Sequence, residues 1–141
     1  MATCDLELET PPTDDYARPL WLQHAAGLIL FEDVRKYAAK RLAPALDEAS
    51  RDAALKAIDD AVYGLMMVLD GVTGRFSNST SSVSLRVIVQ LHQGNKVTDY
   101  VDLLELGPSG DRPTGDGMCK GYNGWREGDF GKAPIARGRK P

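Results

Sequence analysis

The period of the apolar residues changes once along this chain, and that change limits the folds open to it. Leu55, Ile58, Val62, Leu65 and Leu69 recur at spacings of three and four, the repeat of one helix face. Val83, Leu85, Val87, Val89 and Leu91 then recur at every second position, with Ser84, Arg86, Ile88, Gln90 and His92 between them, the repeat of a strand with one buried face. The first pattern predicts a helix that begins after Pro44, takes Ser50 as its N-cap and stops at Gly71. Lys56, Asp59 and Asp60 fall away from its apolar stripe. The second predicts a hairpin that turns at Gln93-Gly94-Asn95-Lys96, because Gly and Asn tolerate the left-handed backbone of a tight turn. Its return strand runs over about 97–106, and Leu103 and Leu104 point to opposite sides of it, which predicts cover on parts of both faces.

An earlier helix is predicted over 16–42, with Asp14 or Asp15 as cap, Pro19 in the first turn and no further proline before Pro44. Within it, residues 27–31 (GLILF) read equally as a buried strand, because a short apolar run does not separate the two by period. The expected class is therefore α+β: a two-helix hairpin packed on a small antiparallel β-sheet, with an irregular Gly-rich C-terminal cap. Two strands alone are marginal, so a third is expected, from residues 72–76 or from 118–130 along the hairpin edge.

The chain of 141 residues is long enough for one domain, here expected over 1–131, with 1–14 as an acidic arm and 132–141 as a basic, flexible tail. The net charge of −3 is uneven: residues 1–17 carry −5 and residues 132–141 carry +4. The two ends either attract each other or serve separate partners. Lys132, Arg137, Arg139 and Lys140 are too few, on a tail with Gly and Pro, to favour a nucleic-acid partner. The longest apolar run, residues 25–31, is far short of a membrane span, and the acidic start is unlike a secretory signal, so a cytoplasmic location is expected. Cys4 and Cys119 form neither a disulfide framework nor a metal pattern, and Asn78-Ser79-Thr80 matches a glycosylation acceptor in form only.

Residues 107–131 hold eight of the fourteen glycines, together with Tyr122, Trp125 and Phe130. Aromatic rings in so permissive a backbone have to fold onto something, either the chain's own core or a partner. Tyr122, Trp125, Arg126, Glu127 and Asp129 combine residue types common at binding hot spots with acids that orient a basic partner, and they are the candidate partner-binding site. The competing structural reading has Tyr122 and Trp125 covering the end of the core while the acids stay in solvent.

Other chemistries are less well supported by the pattern. Cys119 would need His92 or His24 as a base. Asp70, Asp99, Asp102, Glu105, Asp111 and Asp116 supply carboxylates, but without the spacing of a calcium loop they read as a solvated acidic edge. The glycines at 115–131 lack both the spacing of a phosphate loop and a helix to follow them. No metal, cofactor or catalytic set is expected.

Residues 61–71 (AVYGLMMVLDG) and 116–125 (DGMCKGYNGW) resemble small bacterial α+β proteins, among them immunity partners of polymorphic toxins. The resemblance implies a cytoplasmic, non-catalytic protein that binds and neutralises a cognate toxin, and an acidic chain suits a basic toxin domain. The function expected first is thus an immunity-like inhibitor that works by occlusion. One alternative is a small enzyme or ligand-binding protein that draws on His92, Asp99, Cys119 and Tyr122 between hairpin and cap. Another is a homo-oligomer subunit joined at the hairpin edge.

Overall fold

The computed structural model describes residues 5–73, 76–106 and 115–138, which form helices and small antiparallel sheets, an α+β protein. Strand β1 is Leu6–Leu8, and helix α1, Ala17–Ile29, passes through a π-helical turn, Leu30–Arg35, into α2, Lys36–Lys40. Asp14 starts this run by accepting hydrogen bonds from the N–H groups of Tyr16 at 3.0 Å and Ala17 at 2.8 Å. The apolar run at 27–31 is helical, so the strand reading of it is set aside. Gly27 is required there. A methyl group at that position would lie 1.8 Å from the carbonyl oxygen of Met118, so only a residue without Cβ lets the 115–121 segment lie this close to α1.

Helix α3 is Glu48–Leu69, and its N-cap is Asp47, whose carboxylate accepts the Ser50 N–H at 2.8 Å; Ser50 is inside the helix rather than its cap. Gly71, at φ 75°, ends it as expected. The buried face is turned from the predicted stripe. Asp59, Val62 and Met66 are its buried residues, while Leu65 is exposed. Helix α3 packs on the π-helical turn and α2.

The strands form three separate two-stranded antiparallel ladders. β2, Phe76–Ser77, pairs with β3, Ser82–Val83, across an Asx turn in which Asn78 accepts from the Thr80 and Ser81 amides. β4, Ile88–Gln93, pairs with β5, Lys96–Asp102, around Gly94-Asn95, with a bulge at Leu91/His92. Neither expected third strand joins this hairpin among the described residues: Phe76 pairs with Val83, and 118–130 contains helix α4, Tyr122–Glu127. The return strand ends at Asp102, and a 3-10 turn, Leu103–Leu106, follows. Residues three apart eclipse in such a turn, which is how Leu103 and Leu106 are both buried.

The last strand, β6, Ala136–Gly138, pairs with β1, and Arg137 lies 3.3 Å from Glu7 and 3.7 Å from Glu9. Of the two expectations for the ends, the described parts show mutual attraction. Cys4, Arg139 and Lys140 lie outside the described residues, as do Asp111 and the rest of 107–114. No helix among the described residues is long and apolar enough to cross a membrane.

Candidate functional site

Helix α4 and the segment before it are built for close approach. A methyl group on Gly121 would lie 2.4 Å from the indole ring of Trp125, so the bare backbone there makes room for the ring. Tyr122 and Trp125, three apart, take the inner side of the helix and leave Arg126, Glu127 and Asp129 in solvent. The structure thereby divides the predicted partner-binding set. Tyr122 is 2% exposed and Trp125 8%, and both rings meet Phe31, Tyr122 edge-on at 5.3 Å and Trp125 tilted at 5.7 Å. Anchors for a partner have to be reachable, and these two are core residues. The helix also corrects the expectation that nothing helical follows the glycines, yet it has only six residues and its Tyr122 amide is already bonded to the Cys119 carbonyl at 3.0 Å.

Beneath α4 lies Asp59, a residue that falls away from the apolar stripe of the sequence. Asp59 is buried and accepts from Arg35 Nε at 2.5 Å and from the Tyr122 hydroxyl at 2.7 Å, with Arg126 Nε 3.5 Å away. It ties the π-helical turn, α3 and α4 together. Burial pushes its carboxyl pKa up, but the hydrogen bonds from Arg35 and Tyr122 and the charges of Arg35 and Arg126 outweigh that and hold it below the ordinary range. The Tyr122 hydroxyl is pushed upward, first by burial and then by the carboxylate it serves. The sequence did carry a signal: Asp59 stands three before Val62 and seven before Met66, on their face of the helix. An open groove of about 510 Å³ runs over this site, lined by three cations and three acids that already pair with one another in part.

A second buried carboxylate, Asp70, accepts from Gln23 Nε2 at 3.2 Å and from the Met118 amide at 2.8 Å, and Gln23 in turn accepts the Gly117 amide. Burial raises its pKa. Asp116 pairs with His24 at 2.5 Å and with Lys120. Asp102, also buried, takes Arg86, while Asp99 takes Arg18 at 2.9 Å. These acids are therefore not one solvated edge, as the sequence suggested. Each joins separate elements, and no group of three metal-ligating side chains occurs among the described residues.

The set proposed for an enzyme is likewise distributed. His92 is exposed on β4 opposite Val97, Asp99 holds Arg18, Cys119 interacts with the Tyr63 hydroxyl, and Tyr122 serves Asp59.

The exposed apolar surface is elsewhere, on residues 76–102. Helix α1 contacts both β4 and β5, and it covers the side that carries Val89, Leu91 and Val101. On the other side Ile88 is exposed and Tyr100, opposite Gln90, is 65% exposed. Val83 and Leu85, expected on the buried face of one long strand, are exposed because the regular pairing begins only at Ile88. Phe76, which pairs with Val83, is 87% exposed. Comparison of the chain with known protein families, curated proteins and solved structures finds no match.

Proposed function

We propose that this protein acts by binding another protein chain, through the outer face of the arm formed by residues 76–102. The observation that carries the reading is that Phe76, Leu85, Ile88 and Tyr100 stand in solvent, Ile88 and Tyr100 on the side of the β4–β5 hairpin away from Val89, Leu91 and Val101. On this reading the helices are a scaffold that holds the hairpin by its inner face, and residues 115–130 close the scaffold's core. The likeness of 61–71 and 116–125 to immunity-type proteins supports a narrower form of it, in which the partner is a cognate toxin-type domain and the arm occludes it. The apolar anchors are then those of the arm, in place of Tyr122 and Trp125, while the exposed Arg126, Glu127 and Asp129 contribute charge at most.

The test is affinity capture with the full chain as bait. Ile88→Lys with Tyr100→Lys is expected to abolish association while the unfolding midpoint stays near that of wild type, and Glu127→Ala is expected to leave association intact. Association that survives the arm variants and is lost with Glu127→Ala would return the site to residues 122–129.

A further inference from the structure

Two guanidinium groups converge on one buried carboxylate beneath α4. Arg35, from the π-helical turn, reaches Asp59 with Nε at 2.5 Å and Nη2 at 3.3 Å, and Arg126, from α4, brings its Nε to 3.5 Å. Asp59 takes a third donor, the Tyr122 hydroxyl at 2.7 Å, so the core holds it in place. One acid against two cations leaves this end of the groove with a positive charge in excess. The Arg126 side chain is half-exposed, and among the described residues its Nη1 and Nη2 groups meet no acceptor.

The opposite end carries the reverse charge. Asp52 precedes Asp59 by two turns of α3, about 10 Å along the helix, and lines the same groove. It is exposed, and its carboxylate has no ion pair or hydrogen bond among the described residues. Between the two ends lie Leu55, partly buried, and Lys56, whose charge is taken by Asp60 at 2.5 Å. The groove of about 510 Å³ thus has a cationic end, a neutral and partly apolar floor and an anionic end. Its volume falls in the range of small-molecule sites, roughly 300–1,000 Å³.

This charge pattern selects a class of ligand. A guanidinium fork matches a carboxylate in geometry as well as sign. A ligand that is only an anion gains at Arg126 and loses at Asp52, and one that is only a cation does the reverse. Both ends are satisfied together by a molecule that carries one charge of each sign on a flexible chain.

We propose that this groove binds a small zwitterion, with its carboxylate on Arg126 beside Arg35, its ammonium on Asp52 and its methylene chain over Leu55. None of these residues belongs to the arm at 76–102, so the site and the arm act independently.

Titration of the full chain with Nα-acetyl-lysine, followed by the amide NMR shifts of α3 and α4, tests it. The expected result is saturable binding. Nα-acetyl-lysine amide, which lacks the carboxylate, and Nα-acetyl-norleucine, which lacks the ammonium, should each bind about tenfold more weakly or worse. Arg126→Gln and Asp52→Asn should each weaken Nα-acetyl-lysine by about tenfold. Neither side chain is buried, so the unfolding midpoints of both variants should stay near that of wild type. Glu127→Gln, next to Arg126 but outside the groove lining, should leave the affinity unchanged. Absence of saturable shifts, or an affinity indifferent to both substitutions, overturns the proposal. Nα-acetyl-norleucine bound as tightly as Nα-acetyl-lysine, with Asp52→Asn silent, overturns it too, because the groove is then an anion site only.

Discussion

Residues 115–130 and residues 76–102 reverse what their sequences suggest. The first stretch is rich in glycine and has no period, yet its Tyr122 and Trp125 lie in the core against Phe31. The second alternates as regularly as any strand in the chain, yet much of its apolar surface faces water. Alternation says which side chains share a face, but it does not supply the element that covers that face, and here α1 covers only one side. Glycine, in turn, marks places where backbone and ring can approach closely. Met118 against Gly27 and Trp125 against Gly121 are two such places, so the least regular segment is among the most tightly packed.

The strongest way to break this contrast is to truncate the buried ring. Trp125→Ala is expected to cost about 3–5 kcal/mol in denaturant unfolding, since it opens a cavity beside Phe31 and Gly121. A loss below about 1 kcal/mol, the scale of a surface change, would mean that the ring is not a core element in solution.

Two of the buried aspartates, Asp59 and Asp70, sharpen the comparison through pH. Asp59 has a lowered pKa in the folded chain, so its contribution is present above the ordinary carboxylate range, near about pH 4, and is lost as pH falls below that range through the lower folded value. Asp59→Asn should therefore cost about 3 kcal/mol at neutral pH, toward the low end for a broken buried pair because Arg35 keeps some solvent contact, and the gap to wild type should narrow in acid. Asp70 has a raised pKa, so the folded state binds its proton more readily, and its contribution is fully present below the ordinary range and declines as pH rises through the folded value. The gap between wild type and Asp70→Asn should move the opposite way, widening in acid. Urea midpoints from pH 3 to 7 would show both trends, and gaps that move in the same direction would refute the assignment.

How far the sequence could be read follows from the same physics. The helical run from α1 to α2, helix α3 with its stop at Gly71, and the Gly94-Asn95 turn follow from local signals, because period and turn chemistry act over a few residues. Asp59 escapes the apolar period because Val62 and Met66, rather than Leu65, define the buried face, and Asp59 lies with them. Its burial depends on Arg35 and Tyr122, which stand 24 and 63 residues away and which no local pattern connects to it. The pairing of β1 with β6 was legible only as complementary charge at the two ends. The candidate site was read least well. Residue types common at hot spots are also those that fill cores, and burial alone separates the two uses of Tyr122 and Trp125.

The smallest expected effect on stability is the most informative about function. Phe76→Ser and Tyr100→Ser remove aromatic rings, as Trp125→Ala does, but from side chains already 87% and 65% exposed, so little burial is lost on folding. Each is expected to change the unfolding free energy of the isolated chain by no more than about 0.5 kcal/mol when measured at low concentration. If the arm binds a partner chain, as proposed, that insensitivity should disappear when the partner is present, because any contact made only by the folded chain stabilises it by mass action. Wild type should then gain stability with added partner and Tyr100→Ser should gain less. Equal gains for the two would leave these rings without an energetic role, and the contrast with Trp125 would then be one of burial alone.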